Sequence, residues 1–316
     1  MPDENRLKYD LLVVTGPTAS GKTALAAAVA LELGAEIISA DSRQVYRGMD
    51  LGTGKDYSDY IVDGHKIPCH LIDIADPGYK YNVFEYQRDF LKVTAGLKAR
   101  GVFPVVCGGS GLYVDSVVSG YRMFEVPPDY SLRAELETKS LDELTGMLAG
   151  FKKLHNVTDT DTKKRAIRAI EIELFQRREG ERQTAFPGMK ALITGVLPDR
   201  ETRRRRISER LRQRLETGMI DEVRTLMEGG LDPEILIYYG LEYKHITLYL
   251  TGKVSYEKMV SDLEIAIHQF AKRQMTWFRG MERKGTVIHW IDASLPAEQK
   301  KQKILDLLTG SDLLHI

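Results

Sequence analysis

The sequence predicts an α/β fold: a mostly parallel sheet flanked by helices, built around a phosphate-binding loop and interrupted by a helical insertion. Three observations carry this reading. Short apolar runs recur at Leu11–Thr15, Glu36–Ser39, His70–Ile74, Phe103–Cys107, Leu192–Leu197 and Val287–Ile291, and stretches of helical periodicity separate most of them. That alternation builds parallel sheets covered on both faces, whose ligands gather at the carboxyl ends of the strands. The first run ends in Gly16, Gly21, Lys22 and Thr23, spaced as G-x-x-x-x-G-K-[ST], the P-loop pattern. The rhythm then fails between Tyr121 and Lys190, where no convincing strand pattern occurs.

Taken in order, Leu11–Thr15 reads as a buried strand. Lys22–Leu33 carries Leu25, Val29 and Leu33 at four-residue spacing, as one face of a helix, and Gly34 supplies its stop. Between them, glycines let the backbone curl so that successive N–H groups converge on an anion. The helix adds its unpaired first-turn donors and the positive end of its dipole. Lys22 would bridge phosphate oxygens, and the Thr23 hydroxyl would complete a magnesium shell. A glycine turn that only reverses the chain is the plainer alternative, and the loop does not say what its phosphates are attached to. The irregular segment opens with MFEVPPDYS, where two prolines deny helix. It continues with helical patterns, among them Ser140-x-x-Glu143, a capping box ahead of Leu144 and Leu148. This divides the chain into a discontinuous core, residues 1–120 and 191–316, and a helical insertion, residues 121–190.

Composition sets the bounds. A chain of 316 residues suits a large core plus an inserted unit. Lys and Arg number 45, as do Asp and Glu, so no global field advertises a nucleic-acid or membrane partner. Cys69 and Cys107 are too few for a disulfide framework and lack C-x-x-C spacing. Cytosol is the expected compartment, and Cys107 reads as a small buried hydrophobe. The first residues, MPDENRLKYD, hold no apolar signal core, and no window reaches membrane-span length. The seven histidines show no H-E-x-x-H spacing, so no protein-ligated zinc is expected. A monomer is expected.

Local charge is less even. From Lys163 to Arg214 sixteen basic residues face seven acidic ones, a candidate polyanion footprint in a neutral chain. Within it Arg203, Arg206, Arg210 and Arg214 share one helical face, while Ile207, Leu211 and Leu215 lie on an adjacent face that would pack inward. A solvated basic surface accounts for such a face as well as a phosphate backbone does. Three further stretches look chemical. ISADSRQVYRGMDLGTGK places Asp41 at the end of the second strand. VVCGGSGLYVDS ends another strand with Gly108, Gly109, Ser110 and Gly111. HQFAKRQMTWFRG stacks Lys272, Arg273, Gln274 and Trp277 on a helix. Asp41 also suits a helix cap, and Ser110 a turn.

These stretches resemble the tRNA dimethylallyltransferases, also called tRNA isopentenyltransferases. The resemblance runs through GPTASGKTALA, ADSRQVYRGMDLGTGK, CHLIDI, GGSGLY, RAIRAIEI and FAKRQMTWFRG, in the family's order and separation, and covers most of the chain. It implies transfer of a dimethylallyl group from its diphosphate to N6 of the adenine beside the anticodon, with Mg2+. Gly16, Pro17, Thr18, Ala19, Ser20, Gly21, Lys22 and Thr23 would then hold a diphosphate leaving group and neutralise the charge it gains. An adenine amine is a poor nucleophile, its lone pair delocalised into the ring, so a base must take its proton. Asp41 matches the family's general base, Ser110 its threonine or serine near the diphosphate and the target nucleotide, and Lys22 completes the catalytic set. By the same pattern Asp41, Ser42, Arg43 and Gln44 line the nucleotide pocket. Arg133, Lys164, Arg165 and Arg168 would meet the anticodon stem-loop, and Lys272 and Arg273 are further RNA contacts. The target base must also leave its stack, at a cost of a few kcal/mol.

The chain departs from the family in places. The usual arginine three residues before a Gly-Tyr pair is Ile237 or, anchoring on Tyr243, Tyr239; Lys244 or Lys272 are the candidate substitutes. GTGKD replaces GTAKP, Cys69 stands where a histidine is common, and His268 where an arginine is common. The rival reading is a P-loop kinase using ATP, which would need an acceptor site and a mobile arginine lid. A non-catalytic RNA-binding module is the third, and predicts that Asp41 is dispensable.

Overall fold

The chain, seen as a computed structural model, is described for residues 7–120, 125–154, 159–179 and 186–310. It divides into two compact units, Met1–Tyr121 with Gly188–Ile316, and Arg122–Pro187. The opening of the expected insertion, residues 121–124, lies outside the described residues.

The first unit begins with β1 (Leu11–Thr15), α1 (Lys22–Leu33) and β2 (Glu36–Ser39). A short hairpin, β3 (Ile61–Val62) and β4 (His65–Lys66), precedes β5 (Cys69–His70), α2 (Val83–Ala99), β6 (Pro104–Gly108) and α3 (Gly111–Val118). After the second unit the chain returns as β7 (Ala191–Leu197). The second unit holds α4 (Tyr130–Glu137), α5 (Leu141–Phe151) and α6 (Lys163–Glu179). The helices that follow β7 are α7 (Arg200–Glu216), α8 (Met219–Glu228), α9 (Pro233–Tyr238), α10 (Leu241–Leu250) and α11 (Tyr256–Arg283). The chain then forms β8 (His289–Asp292) and α12 (Ala297–Thr309).

Six strands form one sheet in the order β5-β2-β6-β1-β7-β8, and every pairing in it is parallel. The strands are apolar on both faces, as a sheet covered by helices requires. Leu12, Val14, Ile37, Val105, Leu192 and Ile291 share one core with Ala26, Ala27 and Ala30 of α1 and with Ile304 and Leu308 of α12. The small alanines let α1 lie close on the sheet. One apolar run shortens: HLIDI yields only Cys69–His70 as strand, because Leu71 and Asp73 take left-handed φ of 60° and 54° and the chain leaves the sheet. Asp73 is instead engaged by Lys55 and by the Tyr57 hydroxyl.

Register positions the chemistry. Thr15 pairs with Gly108 and with Gly195, and Ser39 with Cys107, so β1, β2 and β6 end in one row. The loops that follow them, carrying Gly16, Asp41 and Ser110, therefore start side by side. The second unit packs its own core from Leu136, Leu144, Leu148, Ala166, Ile167 and Ile170. Ser140 caps α5 reciprocally with Glu143.

Candidate active site

The loop after β1 has the backbone that its glycines permit. Gly16 has φ +147°, and a β-carbon there would sit 2.5 Å from the Val196 carbonyl oxygen of β7. Ala19 (φ 60°) and Gly21 (φ 81°) turn the chain into α1. Gly21 caps α1 with no side-chain acceptor, which leaves the first-turn N–H groups free for an anion. The Ser20 hydroxyl is buried and has no hydrogen-bond partner, so it too awaits an acceptor or donor. Lys22 directs its ammonium at the Pro17 carbonyl, 3.4 Å away. Burial pulls its pKa below the ordinary lysine value, and the Asp41 carboxylate opposes that pull. Burial pushes the Cys107 thiol up to about 11, so at neutral pH it is a neutral packing residue.

Asp41 follows β2 by two residues. Its Oδ1 accepts a hydrogen bond from Arg43 N at 2.9 Å, a local turn that fixes the carboxylate, while among the described residues no donor is paired with Oδ2. Ser110 opens α3, yet its hydroxyl does not cap that helix. It accepts instead from Ser42 N at 3.0 Å and lies 3.3 Å from the Ser42 hydroxyl. A β-carbon on Gly108 would fall 2.3 Å from the Ala40 carbonyl oxygen, so glycine there allows the two strand ends to approach. Gln44 is turned into its own loop, donating to the Gly54 carbonyl at 3.0 Å and accepting from Ser39. The carboxylate of Glu222 on α8 holds that loop from outside, accepting from the backbone N–H groups of Asp50, Leu51 and Gly52 at 2.7–3.0 Å.

Two long-range contacts complete the loop. Gln274, buried on α11, accepts from Thr18 N at 2.8 Å and donates to the Gly109 carbonyl at 2.9 Å, tying the phosphate loop to the Ser110 loop. Arg210, on α7, donates to the Thr18 hydroxyl at 2.6 Å. Burial and the neighbouring Arg214 pull its pKa down to about 10, and Arg214 itself pairs with both oxygens of Asp56 at 2.9 Å. The basic face of α7 is thus divided, Arg210 and Arg214 turning towards the site. Glu222 did not stand out by sequence as a site residue, Arg210 did so only as one of a basic face, and Gln274 only as one of a stack.

The other expected residues are more scattered. Lys272 is exposed in a groove between α7 and α11, with Arg200, Arg203, Arg204 and His268. Arg273 is exposed beside the Phe270 ring. In the second unit Arg133 and Arg168 both grip the buried carboxylate of Glu171, Arg133 through two bonds of 2.9 and 2.7 Å. Lys164 is exposed, and Arg165 pairs with Asp161 at its surface. Near Gly240, Tyr239 is buried and donates to the Tyr79 carbonyl, while Lys244 is exposed on α10. The arginine that reaches the phosphate loop is Arg210. Among the described residues no three His, Cys, Asp or Glu are grouped to hold a metal, and no helix is long and apolar enough to cross a membrane.

Comparison with known proteins meets this geometry. The family model described as IPP transferase matches residues 44–281, and one described as isopentenyl transferase matches residues 9–67, which include the phosphate loop. The chain belongs to the tRNA isopentenyltransferase family. It is 61% identical over 308 residues to tRNA dimethylallyltransferase 2 of Bacteroides fragilis, covering 96% of this chain and 99% of that one. It is 59% identical over 302 residues to tRNA dimethylallyltransferase 1 of Parabacteroides distasonis, covering 96% and 98%. Among solved structures, the tRNA isopentenylpyrophosphate transferase of Bacillus halodurans superposes with a TM-score of 0.69 at 30% identity, covering 98% of this chain and all of that one. As an isopentenyltransferase the chain is an enzyme. Three loops from adjacent strands give it an anion cradle, a fixed carboxylate and a hydroxyl within one small volume.

Proposed function

We propose that the protein transfers the dimethylallyl group of dimethylallyl diphosphate to N6 of the adenine adjacent to the anticodon of tRNA, releasing diphosphate. The observation that carries this reading is the junction of the Asp41 and Ser110 loops beside the phosphate loop, through Ser42 N to Ser110 Oγ at 3.0 Å and Gln274 between Thr18 and Gly109.

In this mechanism the bond between the allylic carbon and the diphosphate oxygen breaks, and the bond from that carbon to adenine N6 forms. The proton leaving N6 passes to Asp41 Oδ2, the oxygen not used by Arg43. The backbone N–H groups of residues 19–23, the Lys22 ammonium and Arg210 stabilise the charge that gathers on the leaving diphosphate. The Ser20 hydroxyl finds its partner there. The Thr23 hydroxyl, in the first turn of α1, would hold Mg2+ together with diphosphate oxygens, which suits an ion that keeps most of its water and needs few protein ligands. When bound, it would add positive charge to the leaving group. Ser110 positions the Asp41–Ser42 backbone and presents a hydroxyl to the incoming nucleotide.

The test supplies purified protein, Mg2+, an unmodified tRNA and isotopically labelled dimethylallyl diphosphate, followed by digestion of the tRNA to nucleosides. Labelled adenosine is expected from wild type and none from Lys22→Ala. ATP consumption with phosphate transfer and no labelled adenosine would overturn the reading.

A further inference from the structure

Beside the Asp41 loop lies an aromatic platform that the mechanism above does not use. Tyr238, the last residue of α9, is 46% exposed. The Arg43 guanidinium carbon lies 5.6 Å from its ring centroid and the Lys80 ammonium 5.8 Å away. Among the described residues neither cation has an acidic partner, so two positive charges share one ring with no counter-charge. The platform is rigid from below. The next residue, Tyr239, is fully buried, packs its ring 4.5 Å from that of Tyr46 and donates to the Tyr79 carbonyl at 2.9 Å. It is also joined to the reacting centre, because Arg43 N is the donor that fixes the Asp41 carboxylate. Gly240, which follows Tyr239, takes φ +147°, a conformation that side chains rarely adopt.

We propose that Tyr238 stacks the base of a nucleotide flanking the target adenine, while Arg43 and Lys80 take up that nucleotide's phosphate. This rests on the transferase reading for the identity of the RNA. A half-exposed tyrosine ring with a planar and a flexible cation lying loosely over it is the chemistry that single-stranded RNA seeks, through a stacked base and a neutralised backbone. Both cations stand near the 6 Å limit of a cation–π contact, where the attraction is weak, so a base stacked on the ring outcompetes them. Lys80, exposed on its loop, is free to follow the phosphate. The stack would hold the neighbouring base in the loop's own manner while the target base is turned out to Asp41.

The experiment measures binding of a labelled anticodon stem-loop by fluorescence anisotropy, alongside KM and kcat for its prenylation. Tyr238→Ala is expected to weaken binding and raise KM for the RNA roughly tenfold, whereas Tyr238→Phe and Tyr238→Trp keep wild-type affinity. A stem-loop made abasic on one side of the target should bind wild type and Tyr238→Ala alike, and so identify the stacked nucleotide. Unchanged affinity in Tyr238→Ala, or a penalty that persists on stem-loops abasic at either side, would overturn the platform. A binding penalty in Tyr238→Ala together with a wild type that binds RNA but transfers no prenyl group would leave the platform standing and overturn the transferase reading instead.

Discussion

Gln274 shows what a single side chain can hold together. Its amide gives one oxygen to Thr18 N and one N–H to the Gly109 carbonyl, so the phosphate loop and the Ser110 loop cannot drift apart without breaking a buried bond. Gln274→Leu keeps the volume and strands both backbone partners, at a cost of about 1–3 kcal/mol for each buried group left unpaired. The expected result is a lower unfolding midpoint and a fall in kcat larger than that in RNA affinity, read by denaturation and steady-state kinetics. An unchanged kcat would show that the bridge is only structural. Arg210 is tested separately, since its guanidinium meets the loop through the Thr18 hydroxyl. Arg210→Ala should raise KM for the prenyl diphosphate at least tenfold and leave the RNA dissociation constant unchanged, because the lost charge faces the leaving group. Arg210→Lys should rescue little, as a compact ammonium lacks the forked donors that reach both the hydroxyl and an anion.

At the scale of elements, Glu36 joins three of them at the edge of the sheet. Its carboxylate, at the start of β2, accepts from Arg100 at the end of α2 through bonds of 2.6 and 2.8 Å, and lies 2.7 Å from His70 Nε2 in β5. Arg100, aided by His70, pulls its pKa from 4.5 to about 2. A depressed carboxylate stabilises the fold above its unfolded pKa, and that contribution fades as pH falls from 4.5 towards 2. Because solvent screens the half-exposed Arg100, the pairing contributes about 2 kcal/mol at pH 7. Glu36→Gln should therefore unfold about 2 kcal/mol more easily at pH 7 by urea titration, the gap from wild type closing as the pH approaches 2. A gap that does not change with pH would refute the linkage. Elements of this kind were legible in the sequence wherever one signal sufficed. The apolar runs located β1, β2, β6, β7 and β8 to within a residue or two, since strands buried on both faces have little else to be made of. HLIDI misled because hydrophobicity does not encode the left-handed φ of Leu71 and Asp73, which serve the loop held by Lys55. The site divides likewise. Residues 16–23 form a motif whose function is local, but Thr18 and Gln274 are 256 positions apart and Glu222 is 172 from Asp50. Pairing such residues needs the fold.

For the whole molecule the telling quantity is charge, and its mean is uninformative. The chain is neutral, yet Arg200, Arg203, Arg204 and Lys272 line one groove between α7 and α11, and among the described residues no ion pair neutralises them. They repel one another: burial, then Arg200 and Arg279, pull the Arg203 pKa down. His268 in the same groove is held below its ordinary value by burial, so near pH 7 it is neutral and the groove's charge is that of its arginines and lysine. Such a cluster costs stability unless an anion answers it, and a tRNA backbone is the polyanion this family handles. Each phosphate contact releases condensed counterions, so removing one cation should lower the slope of log affinity against log salt by about one. Arg204→Ala and Lys272→Ala are expected to do this in anisotropy titrations with tRNA at several salt concentrations. Lys164→Ala asks the same of the other unit, whose α6 exposes that lysine. Because distant sites act independently, the double variant Lys164→Ala with Lys272→Ala should lose the sum of the two slope changes. Lys301→Ala is the control, its ammonium already paired with Glu32 and Glu298 on α1 and α12. Slopes that match the control would mean that the groove meets solvent and not RNA. A change for Lys164 alone would assign the polyanion footprint to the inserted helices.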